Sequence, residues 1–158
     1  MNIRLATPED AGCISSLIAE SAHHFMLDPA GLGADRFLQG ITPEAVRGYI
    51  TDPAFLYLVI AKGTEIIGAA ALRDGKHLYH LFVSPNYQRQ GLARALWSSI
   101  KARSAAAAVA CTVNASPNAL AVYERFGFVV TGARMEMNGI AFVPMALSAT
   151  AVSGRHDG

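Results

Sequence analysis

Residues Leu81-Phe82-Val83-Ser84-Pro85-Asn86-Tyr87-Gln88-Arg89-Gln90-Gly91-Leu92-Ala93 read as a strand that runs through a polar turn into a helix opening on small side chains. The first N–H groups of a helix lack intrahelical partners, so they point outward and can donate to a ligand. Gly91 and Ala93 leave room for an anion to approach that backbone, and the helix dipole adds a favourable field. The chemistry suggested is the cradling of a phosphate or pyrophosphate. Neither G-x-G-x-x-G nor G-x-x-x-x-G-K-S/T is present, which removes the two common nucleotide fingerprints. On its own, Gln88-x-x-Gly91-x-Ala93 also fits an ordinary helix start.

Four further groups carry titratable or nucleophilic chemistry. His77 and His80 lie on one strand, and an imidazole titrates close enough to neutrality to take a proton from a substrate. Simple alternation places them on opposite faces, an arrangement that a bulge would change. His23-His24, with Glu20 nearby, raises the question of a metal, but adjacent histidines on a helix diverge by about 100° and no H-E-x-x-H spacing exists. No metal site is assigned. Cys13 and Cys111 have neither ligand spacing nor a spaced histidine–acid partner, so a covalent cysteine mechanism is not expected.

The elements that must position these groups follow from periodicity and punctuation. Asn2–Ala6 alternates as a strand, and Thr7-Pro8-Glu9-Asp10 opens a helix whose inner stripe is Ile14, Leu17, Ile18 and Ser21. From His23 to Gly40 the pattern loosens. Thr42-Pro43 caps a second helix that runs to about Ile50. Phe55–Lys62, Glu65–Arg73 and His77–Val83 form a three-strand meander, turned at Gly63-Thr64 and Asp74-Gly75. A helix from about Gln90 or Gly91 past Ser99, a strand Val109–Val113 and a helix Asn118–Phe126 follow. The alanine run Ala105–Ala108 reads as a helix end that feeds this strand. Phe128–Thr131, Arg134–Met137 and Ile140–Leu147 close the chain, with Asn138-Gly139 as a tight turn. Strand–helix–strand in the middle implies a parallel crossover and the hairpins imply antiparallel pairing. The expected fold is therefore a mixed α/β sheet with helices on both faces.

Composition sets the outer limits. The chain has 158 residues, 52% of them apolar and 16% charged, with 13 basic against 12 acidic side chains. That much apolar surface with a formal charge of +1 excludes intrinsic disorder and a strongly basic nucleic-acid binder. No run reaches the length of a membrane span, and the first residues lack the layout of a signal peptide. Neither a nucleic-acid nor a membrane partner is expected, and the cytoplasm is the default location. Residues 1–149 are expected to form one domain, followed by a flexible tail over 150–158.

A second segment gives the first its context: Asn114-Ala115-Ser116-Pro117-Asn118-Ala119-Leu120-Ala121-Val122-Tyr123-Glu124-Arg125-Phe126-Gly127-Phe128. In this order and spacing, the two segments resemble the GNAT superfamily, the GCN5-related N-acetyltransferases. The first resembles that family's acyl-CoA pyrophosphate loop, with Ala93 where glycine is commoner. The second resembles its Asn…Ala…Tyr…Gly-Phe segment. The order of elements is similar from Ile3 to about Leu147.

The resemblance implies a largely antiparallel central sheet with one parallel, splayed strand pair, and acetyl-CoA as cosubstrate. It implies that Leu81, Phe82 and Val83 offer backbone groups to the pantetheine arm, with an amide of Phe82 or Val83 polarising the thioester carbonyl. Gln88, Arg89, Gln90, Gly91, Leu92 and Ala93 would hold the pyrophosphate, with Arg89 and Arg94 adding charge. Asn118 would face the cofactor, and Tyr123 would protonate the departing thiolate. Some relatives place a glutamate where this chain has His77, so His77, His80 or a water chain is left as the general base. The implied reaction is direct acetyl transfer to a primary amine of a small molecule or amino acid in a ternary complex. A protein or peptide N-terminus or lysine is the alternative acceptor, and a non-catalytic acyl-CoA-binding module the alternative role. His23, His24, Phe25, Met26, Asp28 and Tyr49 lie where the acceptor wall is expected. Homodimerisation is common in such proteins, with the hairpin at Asn138-Gly139 as a contact.

Overall fold

The computed structural model describes residues 1–148; the tail expected at 150–158 lies outside them. In chain order the strands are β1 (Asn2–Leu5), β2 (Phe55–Lys62), β3 (Glu65–Arg73), β4 (His77–Val83), β5 (Ala110–Ala115), β6 (Val129–Val130), β7 (Met135–Met137) and β8 (Ile140–Ser148). The helices are α1 (Ala11–Ser21), α2 (Asp35–Gln39), α3 (Pro43–Thr51), α4 (Leu92–Arg103), α5 (Ala105–Val109) and α6 (Leu120–Arg125). The strands pair in the order β1-β2-β3-β4-β5-β8-β6, and β7 forms a hairpin on β8. Every pairing is antiparallel except β4 with β5.

The central strands are apolar on both faces because helices cover both. On β2, Leu58 and Ile60 join Leu78 of β4 and Leu96, Trp97 and Ile100 of α4 in one core. Tyr57 and Val59 point the other way, against Ile14, Leu17 and Ile18 of α1 and Val46 of α3. Burying each large aliphatic side chain contributes about 1.5–3 kcal/mol, which fixes the register that the alternation demands.

Local chemistry sets the helix starts. Thr7 precedes a single 3-10 turn, Pro8–Asp10, in which the Asp10 carboxylate accepts from the Thr7 N–H at 2.8 Å. The same carboxylate accepts two bonds from the Arg4 guanidinium, at 2.8 and 3.0 Å, which holds it below the usual carboxylate range. Thr42 Oγ1 accepts from the Ala45 N–H and caps α3. The loosened stretch after His23 contains α2, whose five residues between Gly33 and Gly40 are too few to show a period. The alanine run forms its own helix, α5, capped by Ser104 and absorbing Val109, so the strand begins at Ala110 rather than Val109.

Two irregularities shape the middle of the sheet. β4 and β5 pair only at His77↔Thr112 and Leu78↔Val113, then part. On its other side β4 slips register against β3: Ala71 pairs with His80 and Leu72 with Leu78, which leaves Tyr79 as the extra residue of a bulge.

Candidate active site

The parting of β4 from β5 opens a cleft of about 830 Å³. Leu81, Phe82 and Val83 line one side, the segment from Gln88 to Arg94 the next, and Ser116, Asn118 and Tyr123 the far side. Its charged lining is Arg89, Arg94 and Arg125, without a carboxylate. Gln90 is the one residue of the expected phosphate loop that does not line it. Helix α4 begins at Leu92, and its first intrahelical acceptor is the Gly91 carbonyl, bonded by the Ala95 N–H at 3.0 Å. The Leu92, Ala93 and Arg94 amides therefore remain open at the helix end. Gly91 holds φ at +78°, where a side chain is strained even though a Cβ would meet nothing within 4 Å. Three arginines and a bare helix end suit a polyanion such as a pyrophosphate.

Strand β4 presents backbone to the same cleft. The Ser84 N–H donates to the Ile67 carbonyl of β3 at 2.8 Å. Alternation along an antiparallel ladder then turns the Phe82 amide toward β3 and the Leu81 and Val83 amides away from it. Of the two amides implied as carbonyl donors, that of Val83 is the open one. The Val83 carbonyl, on the same side, accepts from Gln88 Nε2 at 3.3 Å, which ties the loop before α4 to the strand.

Tyr123 projects from α6 and is 7% exposed, packed edge-on against Phe126 and Phe128. Burial pushes its phenol well above the ordinary tyrosine value, with nearby Cys111 adding to the shift, so the hydroxyl stays protonated. Asn118 sits in the preceding 3-10 turn, where its Oδ1 accepts from Ser116 Oγ at 2.7 Å.

A second pocket of about 310 Å³ adjoins the cleft, and Phe25 and Phe82 line both. Its other walls come from Arg36 and Phe37 of α2, Asn114 of β5, and Asn138, Ile140 and Phe142 of the β7–β8 hairpin. The bulge at Tyr79 decides what β4 contributes. An extra residue between Leu78 and His80 cancels the alternation, so His77, Tyr79, His80 and Phe82 all line this pocket. The hairpin is pinned to the loop after α1 by Leu27 N–H to Gly139 O at 2.9 Å and Ala141 N–H to Phe25 O at 2.7 Å. There Gly139 meets Gly33 so closely that a Cβ would fall 2.5 Å from the Gly33 carbonyl.

The two histidines differ. His80 is buried among Tyr49, Tyr57, Tyr79 and Phe82, and desolvation pushes its imidazole down to about 3. Its Nδ1 lies 2.8 Å from the Tyr57 hydroxyl. Burial raises the Tyr57 phenol, so it keeps its proton. With no other acceptor for that proton among the described residues, Tyr57 donates to Nδ1, and the imidazole proton sits on Nε2. His77 is half-buried, with Nδ1 2.7 Å from Thr112 Oγ1, and is lowered by desolvation and then by the Arg73 charge.

The sequence matches the family model described as an acetyltransferase (GNAT) domain over residues 25–149. The chain belongs to the GNAT acetyltransferase family. No curated protein matches it. Among solved structures it is similar to a GCN5-related N-acetyltransferase from Rhodopseudomonas palustris, with a TM-score of 0.69 and 21% identity over 93% of this chain and 94% of that one. The PaiA N-acetyltransferase of Thermoplasma acidophilum, solved with coenzyme A, gives 0.72 and 17% over 93% and 98%. An aminoglycoside 6′-N-acetyltransferase, also complexed with coenzyme A, gives 0.68 and 12% over 94% and 97%. At these identities the likeness shows the GNAT fold.

Set on that fold, most of the expected residues gather in the two adjoining cavities. Of the residues expected at the acceptor wall, Phe25 lines both and His24 lines the cleft, with its imidazole lowered by burial and by His23. Met26 pairs with Ile140 in an isolated bridge behind the pocket, while His23, Asp28 and Tyr49 line neither cavity. Arg36, Phe37, Ile140 and Phe142 were not legible as lining this pocket, because none sits in a motif and only the fold brings them together. A hint lay in Asn138-Gly139, a turn signal that places a hairpin but not what it covers. Among the described residues no cluster of metal ligands occurs, and no helix is long and apolar enough to cross a membrane.

Proposed function

We propose that the protein is an acetyl-CoA-dependent N-acetyltransferase that acts on a small primary amine by direct attack, with both substrates bound. The observation that carries this reading is the pair of cavities meeting at Phe25 and Phe82, one built for a polyanion and the other walled by side chains able to handle a proton. Bound acetyl-CoA supplies an activated acetyl thioester, whose carbon–sulfur bond breaks as the amine nitrogen bonds to the acetyl carbon. The open amides at the start of α4, with Arg89, Arg94 and Arg125, hold the pyrophosphate and orient the arm. The Val83 amide donates to the carbonyl oxygen as charge gathers there. Tyr123, kept protonated by burial, gives its proton to the departing sulfur.

His77 accepts the proton that the amine nitrogen sheds. Its Nδ1 lies 2.7 Å from Thr112 Oγ1. The base role requires the tautomer that donates Nδ1–H there and leaves a lone pair on Nε2, and the lowered pKa keeps the ring neutral at pH 7. His80 takes the other role. With its proton on Nε2 and its pKa near 3, it donates a hydrogen bond toward the acceptor rather than removing a proton. Neither cysteine lines either cavity, and burial raises the Cys111 thiol to about 11, which favours direct transfer over an acyl-enzyme. Titration calorimetry with acetyl-CoA, followed by free-thiol release across a panel of amines, tests the reading. One-to-one binding and amine-dependent thiol release are expected. Folded protein that binds no acyl-CoA would overturn it.

A further inference from the structure

The smaller pocket is unusual in its charge. Of its lining residues Arg36 alone is permanently charged, and no aspartate or glutamate is among them. Asp35, its neighbour in the chain, is exposed and lines neither cavity. Arg36 forms no salt bridge among the described residues, where the three found join Arg4 to Asp10, Arg73 to Asp74 and Arg134 to Glu136. The two histidines of the pocket add no charge near neutral pH. The remaining lining is dominated by Phe25, Phe37, Tyr79, Phe82, Ile140 and Phe142, with the side-chain amides of Asn114 and Asn138.

A pocket for a polycationic amine needs carboxylates to replace the water those charges give up. This one offers a cation instead, the exposed Arg36 at its rim beside apolar walls. Its volume lies near the lower end for small-molecule sites, which suits a small acceptor. We propose that the pocket selects a small amine bearing an apolar or aromatic group and a carboxylate, with the carboxylate facing Arg36 and the amine directed past Phe82 toward the cleft. Arg36 acts on specificity: it pairs with the acid group, the aromatic walls take the side chain, and the amine is left at the shared wall. This assignment rests on the smaller pocket being the acceptor side of the transferase proposed above.

Phenylalanine and phenethylamine, which differ by the carboxylate and have amines of similar basicity, test it together with kanamycin as a polycation. Wild-type protein is expected to acetylate phenylalanine with kcat/KM at least about tenfold above phenethylamine, and kanamycin least well. In Arg36→Gln that ratio falls toward one through KM, and Arg36→Lys restores part of it. A binding measurement independent of turnover accompanies the kinetics. 3-Phenylpropionate, which has no amine, should bind coenzyme A-loaded wild type in calorimetry and bind Arg36→Gln at least about tenfold more weakly. Equal use of phenethylamine, preference for kanamycin, an unchanged ratio in Arg36→Gln, or no binding of 3-phenylpropionate each overturns the assignment. Absence of acetyl-CoA binding brings down the transferase reading itself, whereas acetyl-CoA binding without carboxylate preference brings down the acceptor class alone.

Discussion

The cleft along β4 and α4 is lined by open backbone amides and three arginines from two short segments, whereas the pocket behind Phe82 is walled by residues from five separate stretches of the chain. The cleft needs only a strand that stops pairing and a helix that starts on glycine. The pocket depends on tertiary placement: α2, the bulge in β4 and the β7–β8 hairpin must all arrive for it to exist. Backbone recognition tolerates change in most side chains, since the donors belong to every residue, while a side-chain pocket changes specificity with single substitutions.

The largest effect is expected at Gly91. A Gly91→Glu substitution puts a side chain at a φ of +78° and a carboxylate where phosphate is expected, so acetyl-CoA affinity should fall at least about 100-fold in calorimetry. The fold should persist, because no atom lies within reach of the new Cβ. A Gly91→Glu variant that binds acetyl-CoA like wild type would remove the cleft from the comparison. Next, Tyr123→Phe should lower kcat about 100-fold while acetyl-CoA binding holds, since the ring remains and only the acid is lost. Because burial raises this phenol, wild-type kcat should show no Tyr123-dependent fall at mildly alkaline pH. A Tyr123→Phe variant with normal kcat would reduce the residue to packing against Phe126 and Phe128.

The pocket is tested at its roof. In Gly139→Ala the new methyl meets the Gly33 backbone and φ is already +75°, so the hairpin must shift. The acceptor KM should rise about tenfold, and acetyl-CoA affinity should hold. Equal damage to both would show that the two regions are not separable in this way.

The difference in legibility has the same origin. The three-strand meander at Phe55–Lys62, Glu65–Arg73 and His77–Val83 was readable to the residue, because apolar runs and turn pairs are local signals. So was the turn into α4, since Gly91 and the polar residues before it are contiguous. Simple alternation predicts His77 and His80 on opposite faces, and the bulge at Tyr79 puts them on one face. No local signal marks such a bulge; it arises where β4 must satisfy β3 on one side and leave β5 on the other. Arg36 could be placed among the acceptor-side elements but not in a pocket, for a similar reason: a five-residue helix between glycines carries no period, and the hairpin residues that line the same pocket lie about a hundred residues away.

The smallest expected effect concerns His80. Burial holds it neutral in the fold down to about pH 3, while the unfolded chain takes up the proton below about 6.5. The unfolded state therefore binds more protons between those values, and stability falls as the pH drops from 6.5 toward 3, by at most about 1.4 kcal/mol per unit from this group. Urea unfolding at about pH 5 and about pH 7 should show a shallower pH slope for His80→Phe than for wild type. The same slope in both would indicate that His80 is not the buried group responsible.

The central claim is that the two cavities are filled together and exchange an acetyl group directly across Phe25 and Phe82. Initial velocities measured with acetyl-CoA and an accepted amine, each varied at several fixed levels of the other, test it most directly. Double-reciprocal lines that intersect are predicted, because both substrates must be present before the carbon–sulfur bond breaks. Parallel lines, with acetyl recovered covalently on the protein, would contradict the account and require a nucleophile that neither cavity was read as supplying.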